Sequence, residues 1–266
     1  MKAILAQIEQ SVINVVHEVG GFIRTESRAF DRGRIEQKGR FNNLVSYVDK
    51  ESERRIVEAL EKILPGSGFL GEEGTNTTGQ NGYQWIIDPL DGTTNFTHAL
   101  PPFAISIGLA HEEKMVLGIV YEVNTDECFH SYAGAPVFCN NREVKVSLTS
   151  ALDQSLLATG FPYLHAGKME IHLDIIKELL YKTHGVRRLG SAATDLAYVA
   201  CGRFDGFFEY KLSPWDVAAG GFLVQQAGGV VTDFSGGQNW LHGGELCAGN
   251  AVHSAMLETI RAHWKF

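Results

Sequence analysis

The sequence predicts an α+β fold of layered helices and sheets, and three observations predict it. After two stretches of helical period, the first half carries short apolar segments parted by turn residues, the mark of an antiparallel meander. The second half alternates strand-like and helix-like segments at close intervals. A chain of 266 residues with 44% hydrophobic content can also bury a substantial core. We read one cooperative domain over 1–266, built of two closely packed lobes at roughly 1–150 and 151–266.

Residues 3–28 place apolar side chains periodically among Glu9, His17 and Glu18, which predicts an amphipathic helix and not a signal peptide. An extended run ends at Asp49, and Ile56, Leu60, Ile63 and Leu64 then recur at helical spacing. This predicts a helix over 50–64 with Asp49 as N-cap, stopped by Pro65-Gly66. Strands are expected at 104–111, 115–123, 127–132 and 135–139, with Glu112-Glu113-Lys114 and Asn140-Asn141 as hairpin turns. The alternating half predicts strand 155–159, helix 168–182, strand 186–189, helix 191–201, strand 206–210 and helix 214–227. Gly202 and Gly228-Gly229 end the last two helices. No internal repeat, linker or membrane-spanning run is visible.

The stretch from Trp85 to Phe96 is the most informative. A strand-like apolar run stops at Asp88, and Asp91, Gly92, Thr93 and Thr94 follow before the chain turns apolar again. Clustered carboxylates at a strand end repel one another and lose solvation, a cost that a divalent cation removes. Hard oxygen ligands point to magnesium rather than zinc. Gly92 permits a tight turn, so the amides of Gly92, Thr93 and Thr94 can open a short helix facing an anion. A calcium loop would alternate its ligands and close on a Glu, which this one does not. An aspartyl-nucleophile phosphatase would space its two Asp one residue apart, whereas Pro89 and Leu90 both intervene here. An ordinary polar Asp-Gly turn leaves unexplained why other acids sit in similar settings.

Three such settings occur. Glu72 and Glu73 follow the apolar Phe69-Leu70 between Gly71 and Gly74, and a plain surface turn is the alternative. Asp216 falls in the first turn of a helix capped by Ser213 and begun by Pro214. There it is either a dipole partner or, given Trp215 and the small residues Ala218 to Gly221 around it, a carboxylate pressed into a tight contact. A capping Asp49 is held in one orientation, which also suits it to polarise a hydroxyl or a bound water.

Other chemistries find less support. The ten His lack a zinc spacing, and His98 reads as a turn residue before Pro101-Pro102. Cys128, Cys139, Cys201 and Cys247 lie mostly in apolar runs without Cys-x-x-Cys spacing, as reduced thiols of a cytoplasmic protein do. A formal charge of -8 disfavours nonspecific nucleic-acid binding.

Taken in order, these segments resemble the inositol monophosphatase family of metal-dependent, lithium-sensitive phosphatases, from about Lys38 to about Asn250. Trp85 to Phe96 is similar to its first signature and Trp215 to Gly229 to its second, while Leu157 to Tyr163 and Arg187 to Ala193 look like the inositol phosphatase branch. The resemblance implies a five-layer αβαβα sandwich, a homodimer, and two or three Mg2+ ions per site. It gives Glu72, Asp88 and the Leu90 carbonyl to the first ion, Asp88, Asp91 and Asp216 to the second, and a share of a third to Glu72. It assigns Asp49 and Thr93 to orienting the attacking water, and Gly92, Thr93 and Thr94 to the phosphate. Gly190, Ser191, Ala192 and Glu209 fall where the family contacts the polyol, and Lys38 matches a basic residue near the site or is a solvated lysine. Ser46 and Asn43 stand where relatives often have Thr and Asp.

The expected activity is hydrolysis of inositol monophosphate by metal-activated water. The alternatives are another sugar phosphate, fructose 1,6-bisphosphate, histidinol phosphate or a 3'-phosphonucleotide. From a different class comes partnership with the transcription machinery, with Arg187-Arg188 as the surface.

Overall fold

The computed structural model describes residues 2–30, 35–37, 44–162 and 167–264. Lys38, Asn43 and Tyr163 lie outside the described residues. In chain order the first half comprises α1 (Lys2–Arg28), β1 (Ile35–Gln37), β2 (Leu44–Ser46), α2 (Tyr47–Ile63), β3 (Gly68–Gly71), β4 (Asn76–Thr77), β5 (Tyr83–Asp91) and α3 (Thr93–Thr97). The meander follows as β6 (Ala104–His111), β7 (Lys114–Glu122), β8 (Glu127–Tyr132), β9 (Val137–Cys139) and β10 (Arg142–Val144). The second half comprises β11 (Leu156–Thr159), α4 (Met169–Lys182), β12 (Gly185–Arg187), α5 (Ala192–Ala200), β13 (Gly206–Tyr210), α6 (Pro214–Gln226), β14 (Val230–Thr232), β15 (Glu245–Gly249) and α7 (His253–His263).

These elements stack as five layers. Helices α1 and α2 cover one face of an eight-stranded sheet of order β10-β9-β8-β7-β6-β5-β3-β4. Helices α5 and α6 lie between its other face and a five-stranded sheet of order β12-β11-β13-β15-β14, which α4 and α7 close from outside. The expected αβαβα sandwich is therefore the observed fold. Strand periodicity builds the layers: Leu157 and Phe208 face the α4–α7 side, whereas their neighbours Ala158 and Phe207 face α5 and α6. The middle core joins Val120 and Phe129 of the first half to Leu223 and Ala248 of the second.

The α6 contact sets the depth of the site. Ile105, Ile107 and Leu109 of β6 fill the α1–α2 side of the large sheet. On the α6 side, Gly108 pairs in register with Gly118 of β7, and α6 rests on this bare rung. A Cβ at Gly108 would lie 3.1 Å from the Ala218 Cβ, and one at Gly118 would lie 2.8 Å from the Ala219 carbonyl oxygen. On the same helix, a Cβ at Gly220 would lie 2.6 Å from Leu196 of α5. The small residues around Asp216 thus serve a close helix-on-sheet approach.

Some boundaries differ from expectation. Helix α2 begins at Tyr47, so Ser46 is the N-cap and Asp49 sits three residues inside. The Ser46 hydroxyl accepts the Val48 N–H at 3.1 Å, and once Ser46 caps, Tyr47 and Val48 are free to turn helical. Strand β12 stops at Arg187 and is shorter than predicted, because Gly190 turns left-handed at φ +93°. The β6–β7 turn is the two-residue type, with Glu112 and Glu113 both at positive φ. Strands β10, β14 and β15 and helix α7 were not expected. Cys128, Cys139 and Cys247 are buried free thiols. Among the described residues, no helix is long and apolar enough to cross a membrane.

Candidate active site

The site grows from an irregularity in β5. Its pairing with β6 shifts between Asp88 and Asp91, where three steps on β5 match two on β6. Pro89 falls in this bulge, where its missing N–H costs no ladder bond. Asp88 is 1% exposed, and its Oδ1 accepts the Leu90 N–H at 3.0 Å. Gly92 then adopts φ +93° and starts α3, with the Phe96 N–H closing the first turn on the Gly92 carbonyl at 2.9 Å. The amides of Thr93 and Thr94 thus precede the first intrahelical bond. No side chain fits at Gly92, where a Cβ would stand 3.0 Å from the Pro102 carbonyl and 3.3 Å from that of Gly190.

Two aspartates are held by the same local device. Asp49 Oδ2 accepts the Ser46 N–H at 2.8 Å and its hydroxyl at 2.6 Å, completing a capping box at the start of α2. Its other oxygen, Oδ1, receives the Thr93 hydroxyl at 2.9 Å. At the start of α6, Asp216 Oδ2 accepts the Ser213 N–H at 2.6 Å in a second capping box. Each carboxylate uses one oxygen to fix its helix end. Ser213 and Pro214 begin α6 as the sequence predicts.

The acids perturb one another strongly. Burial, then Glu72, Asp91 and Asp216 in turn, push Asp88 well above the usual carboxylate range. Burial raises Asp91 to about 6, although bonds from Ser191 and Ala193 and the Arg188 charge oppose it. Asp216 is driven upward by burial and then by Asp91. Burial, with Asp91 nearby, lifts Glu209 to about 8 against the pull of Arg188. Glu72, Asp88, Asp91, Asp216 and Glu209, from four stretches of chain, thus outnumber the neighbouring cation Arg188, a donor set that suits a hard divalent cation. Among the described residues, no three such groups converge into a ready metal cage. Asp91 Oδ2 instead accepts the Ser191 hydroxyl at 2.6 Å and the Ala193 N–H at 2.7 Å, joining the two halves of the chain.

A cavity of about 280 Å³ opens here, walled by Glu72, Asp91, Gly190, Ser191, Ala192, Glu209 and Asp216. Asp49, Asp88, Leu90, Gly92, Thr93 and Thr94 are not among its walls. They connect to it through the Asp91 turn and the close contact of Gly92 with Gly190. Sequence reasoning missed three contributors. Asn95 Nδ2 donates to the Pro102 and Leu189 carbonyls, both at 2.8 Å, which anchors the loop before Gly190. Asp195, 1% exposed with an unpartnered Oδ1, lines the cavity, and burial together with Glu209 and Asp91 pushes its carboxyl up. Gly160 leaves room for Glu209, since a Cβ there would overlap the carboxyl. Arg188 lines the cavity, and both Arg187 and Arg188 are exposed.

The crowding has a measurable consequence for the metal-free fold. In the unfolded chain these acids lose their protons near pH ~4, whereas in the fold Asp91 keeps its proton to about 6 and Glu209 to about 8. Between those values the unfolded state binds fewer protons, so stability falls as pH rises. In chelator, the melting temperature is expected to drop from pH ~4 to pH ~8, and magnesium at the upper end to restore it. A flat or rising curve would contradict this assignment.

Fold and cleft together define a layered sandwich with a site fit for an anion and a cation: two sheets, helices between and outside them, and an acid-walled cavity beside a hydroxyl-bearing helix start. The family model described as the inositol monophosphatase family matches residues 5–265, and the chain belongs to that family. It is 43% identical over 243 residues to the putative Nus factor SuhB of Neisseria meningitidis serogroup B, covering 91% of this chain and 89% of that one. It is also 43% identical over 219 residues to the inositol-1-monophosphatase of Rhizobium meliloti, covering 82% of each. Among solved structures, the extragenic suppressor protein suhB of Bartonella henselae superposes with a TM-score of 0.90 at 35% identity, over 95% of this chain and 97% of that one.

Proposed function

We propose that the chain is a magnesium-dependent phosphomonoesterase that hydrolyses inositol monophosphate to inositol and phosphate. The observation that carries this reading is that Glu72, Asp91 and Asp216 wall one cavity, with Asp88 buried at the same strand end and the 2.9 Å Thr93–Asp49 bond at the turn that follows. Glu72, Asp88 and the Leu90 carbonyl would hold one magnesium, and Asp88, Asp91 and Asp216 a second, with Glu72 sharing in a third. When bound, magnesium supplies an acidified water and counter-charge for the phosphate and the leaving oxygen.

The chain's own groups then do the positioning. Asp49, fixed through Ser46, polarises the Thr93 hydroxyl, and the pair aims the attacking water. The amides of Gly92, Thr93 and Thr94 hold phosphate oxygens at the start of α3, where charge spreads in a loose transition state. Gly190, Ser191, Ala192 and Glu209 receive the polyol. No nucleophilic Ser, Cys or His enters the reaction. The two lobes, 1–150 and 151–266, are proposed to unfold together because the middle core belongs to both. A single transition in the melting curves above would bear this out.

Glu209 is the proposed source of substrate preference. Cation charge beside Asp91 favours its ionised form, which accepts hydrogen bonds from ring hydroxyls and repels a second phosphate. Inositol monophosphate is expected to exceed fructose 1,6-bisphosphate and 3'-phosphoadenosine 5'-phosphate in kcat/KM. Glu209→Gln should narrow that gap, mainly by lowering turnover of the inositol phosphate. If the unaltered enzyme prefers a bisphosphate by about tenfold, roughly 1.4 kcal/mol of discrimination, the inositol assignment fails while the magnesium phosphatase survives.

The name of the Neisseria relative favours a second reading, partnership with the transcription machinery. Affinity capture from lysate, with and without substrate in the cleft, tests it. A cytoplasmic homodimer completes the proposal, and sedimentation at the mass of one chain would refute the dimer.

A further inference from the structure

We propose that Glu53 is a positioning residue that sets the Glu72 turn and, through one face of α2, ties it to the Asp49–Thr93 pair. The inference rests on the magnesium reading above. Glu53 is 3% exposed and carries no assigned role in that chemistry. Its Oε2 accepts the Glu73 N–H at 2.8 Å, and its Oε1 accepts the Thr75 N–H at 3.0 Å and the Thr75 hydroxyl at 2.7 Å. The turn is drawn onto the helix by three bonds, all from residues just after Glu72.

The other side of Glu72 is equally fixed. Its N–H donates to the Ile87 carbonyl at 3.2 Å, the residue before Asp88, and the Gly71 N–H donates to the Thr75 carbonyl at 2.7 Å. Gly71 is bare because a Cβ would overlap the Glu53 carboxyl. Glu72 is therefore stretched between the β5 strand end and a clamp on α2. Asp49 and Glu53 are four residues apart on that helix and share a face. One rigid turn of helix holds the Thr93 hydroxyl at one level and the Glu72 turn at the next. The group that orients water and a group that would hold the cation are thus kept in register.

The test is a magnesium titration of the full chain, followed by thermal shift and by phosphate release. Glu53→Gln preserves size but points an amide N–H2 at one of the three donors. It is expected to raise the magnesium concentration for half-maximal thermal shift by about tenfold, the usual scale for groups that orient a metal ligand. At saturating magnesium, kcat should recover and KM for inositol monophosphate should stay within about twofold of the unaltered value. Thr75→Val removes the 2.7 Å hydroxyl bond alone, and should give a smaller shift in the same direction even if Glu53→Gln folds poorly. If both variants melt earlier in chelator yet respond to magnesium as the unaltered chain does, Glu53 is a structural residue only and the proposal is overturned. If the unaltered chain itself shows no magnesium response, the proposed function falls and this inference with it.

Discussion

Phosphate release from inositol monophosphate is expected to vanish in excess EDTA and to return when magnesium is added back. The expectation comes from charge. Asp88 lies under Glu72, Asp91 and Asp216, and each raises its affinity for a proton. At neutral pH the set must either hold protons, which spoils it as a ligand set, or be neutralised by a cation. A dianionic phosphate adds to the same excess, so it too depends on that counter-charge. Calcium should occupy the site yet support little turnover, because its looser coordination positions water less strictly. Lithium should inhibit. Full activity in excess EDTA would sink the magnesium reading.

Asp91→Asn should lower kcat roughly a thousandfold, about 4 kcal/mol by transition-state arithmetic. The same substitution removes a charge that pushes up Asp88, Asp216 and Glu209. The bonds from Ser191 and Ala193 end on one Asp91 oxygen, which an Asn carbonyl can replace, so the metal-free protein should melt at a higher temperature as activity collapses. Opposite signs in stability and activity are what a functional acid held against its neighbours implies. Thr93→Ala offers the contrast: turnover should fall while magnesium affinity stays nearly intact, since its proposed work is to orient water. Comparing magnesium titrations of the two variants decides the matter, and equal losses of affinity would refute the division of roles.

Much of the candidate site was legible along the chain because its acids and hydroxyls are concentrated in short segments. Asp88 to Thr94 declared itself through an apolar strand that stops on acids, and Ser213-Pro214-Trp215-Asp216 through the grammar of helix starts. The meander was legible because its short apolar runs are parted by turn residues at Glu112-Glu113 and Asn140-Asn141. What failed were features decided by tertiary contact. Asp49 looked like a cap because the extended run before it reaches Val48, yet Ser46 caps and Asp49 reaches back to it. Strand β15 is nearly all buried and shows no alternation, and α7 buries few apolar residues, so neither stands out locally. Nothing in the local sequence marks Glu53. Its three donors arrive from a turn about twenty positions later, a separation no periodicity can express.

Gly108 and Gly118 contribute no atom to catalysis, yet they govern where Asp216 can be. At Gly108 the Met115 side chain could swing aside, but a Cβ would still press on Ala218, and one at Gly118 would meet the Ala219 carbonyl, which has no rotamer to absorb it. The helix would have to lift as a body and take its first turn along. Tolerance to change in this molecule is therefore not a function of distance from the cavity: an exposed residue at its rim can vary more freely than a silent glycine in the middle of a sheet. A catalogue of the site compiled from chemically active side chains would omit two positions on which its depth depends.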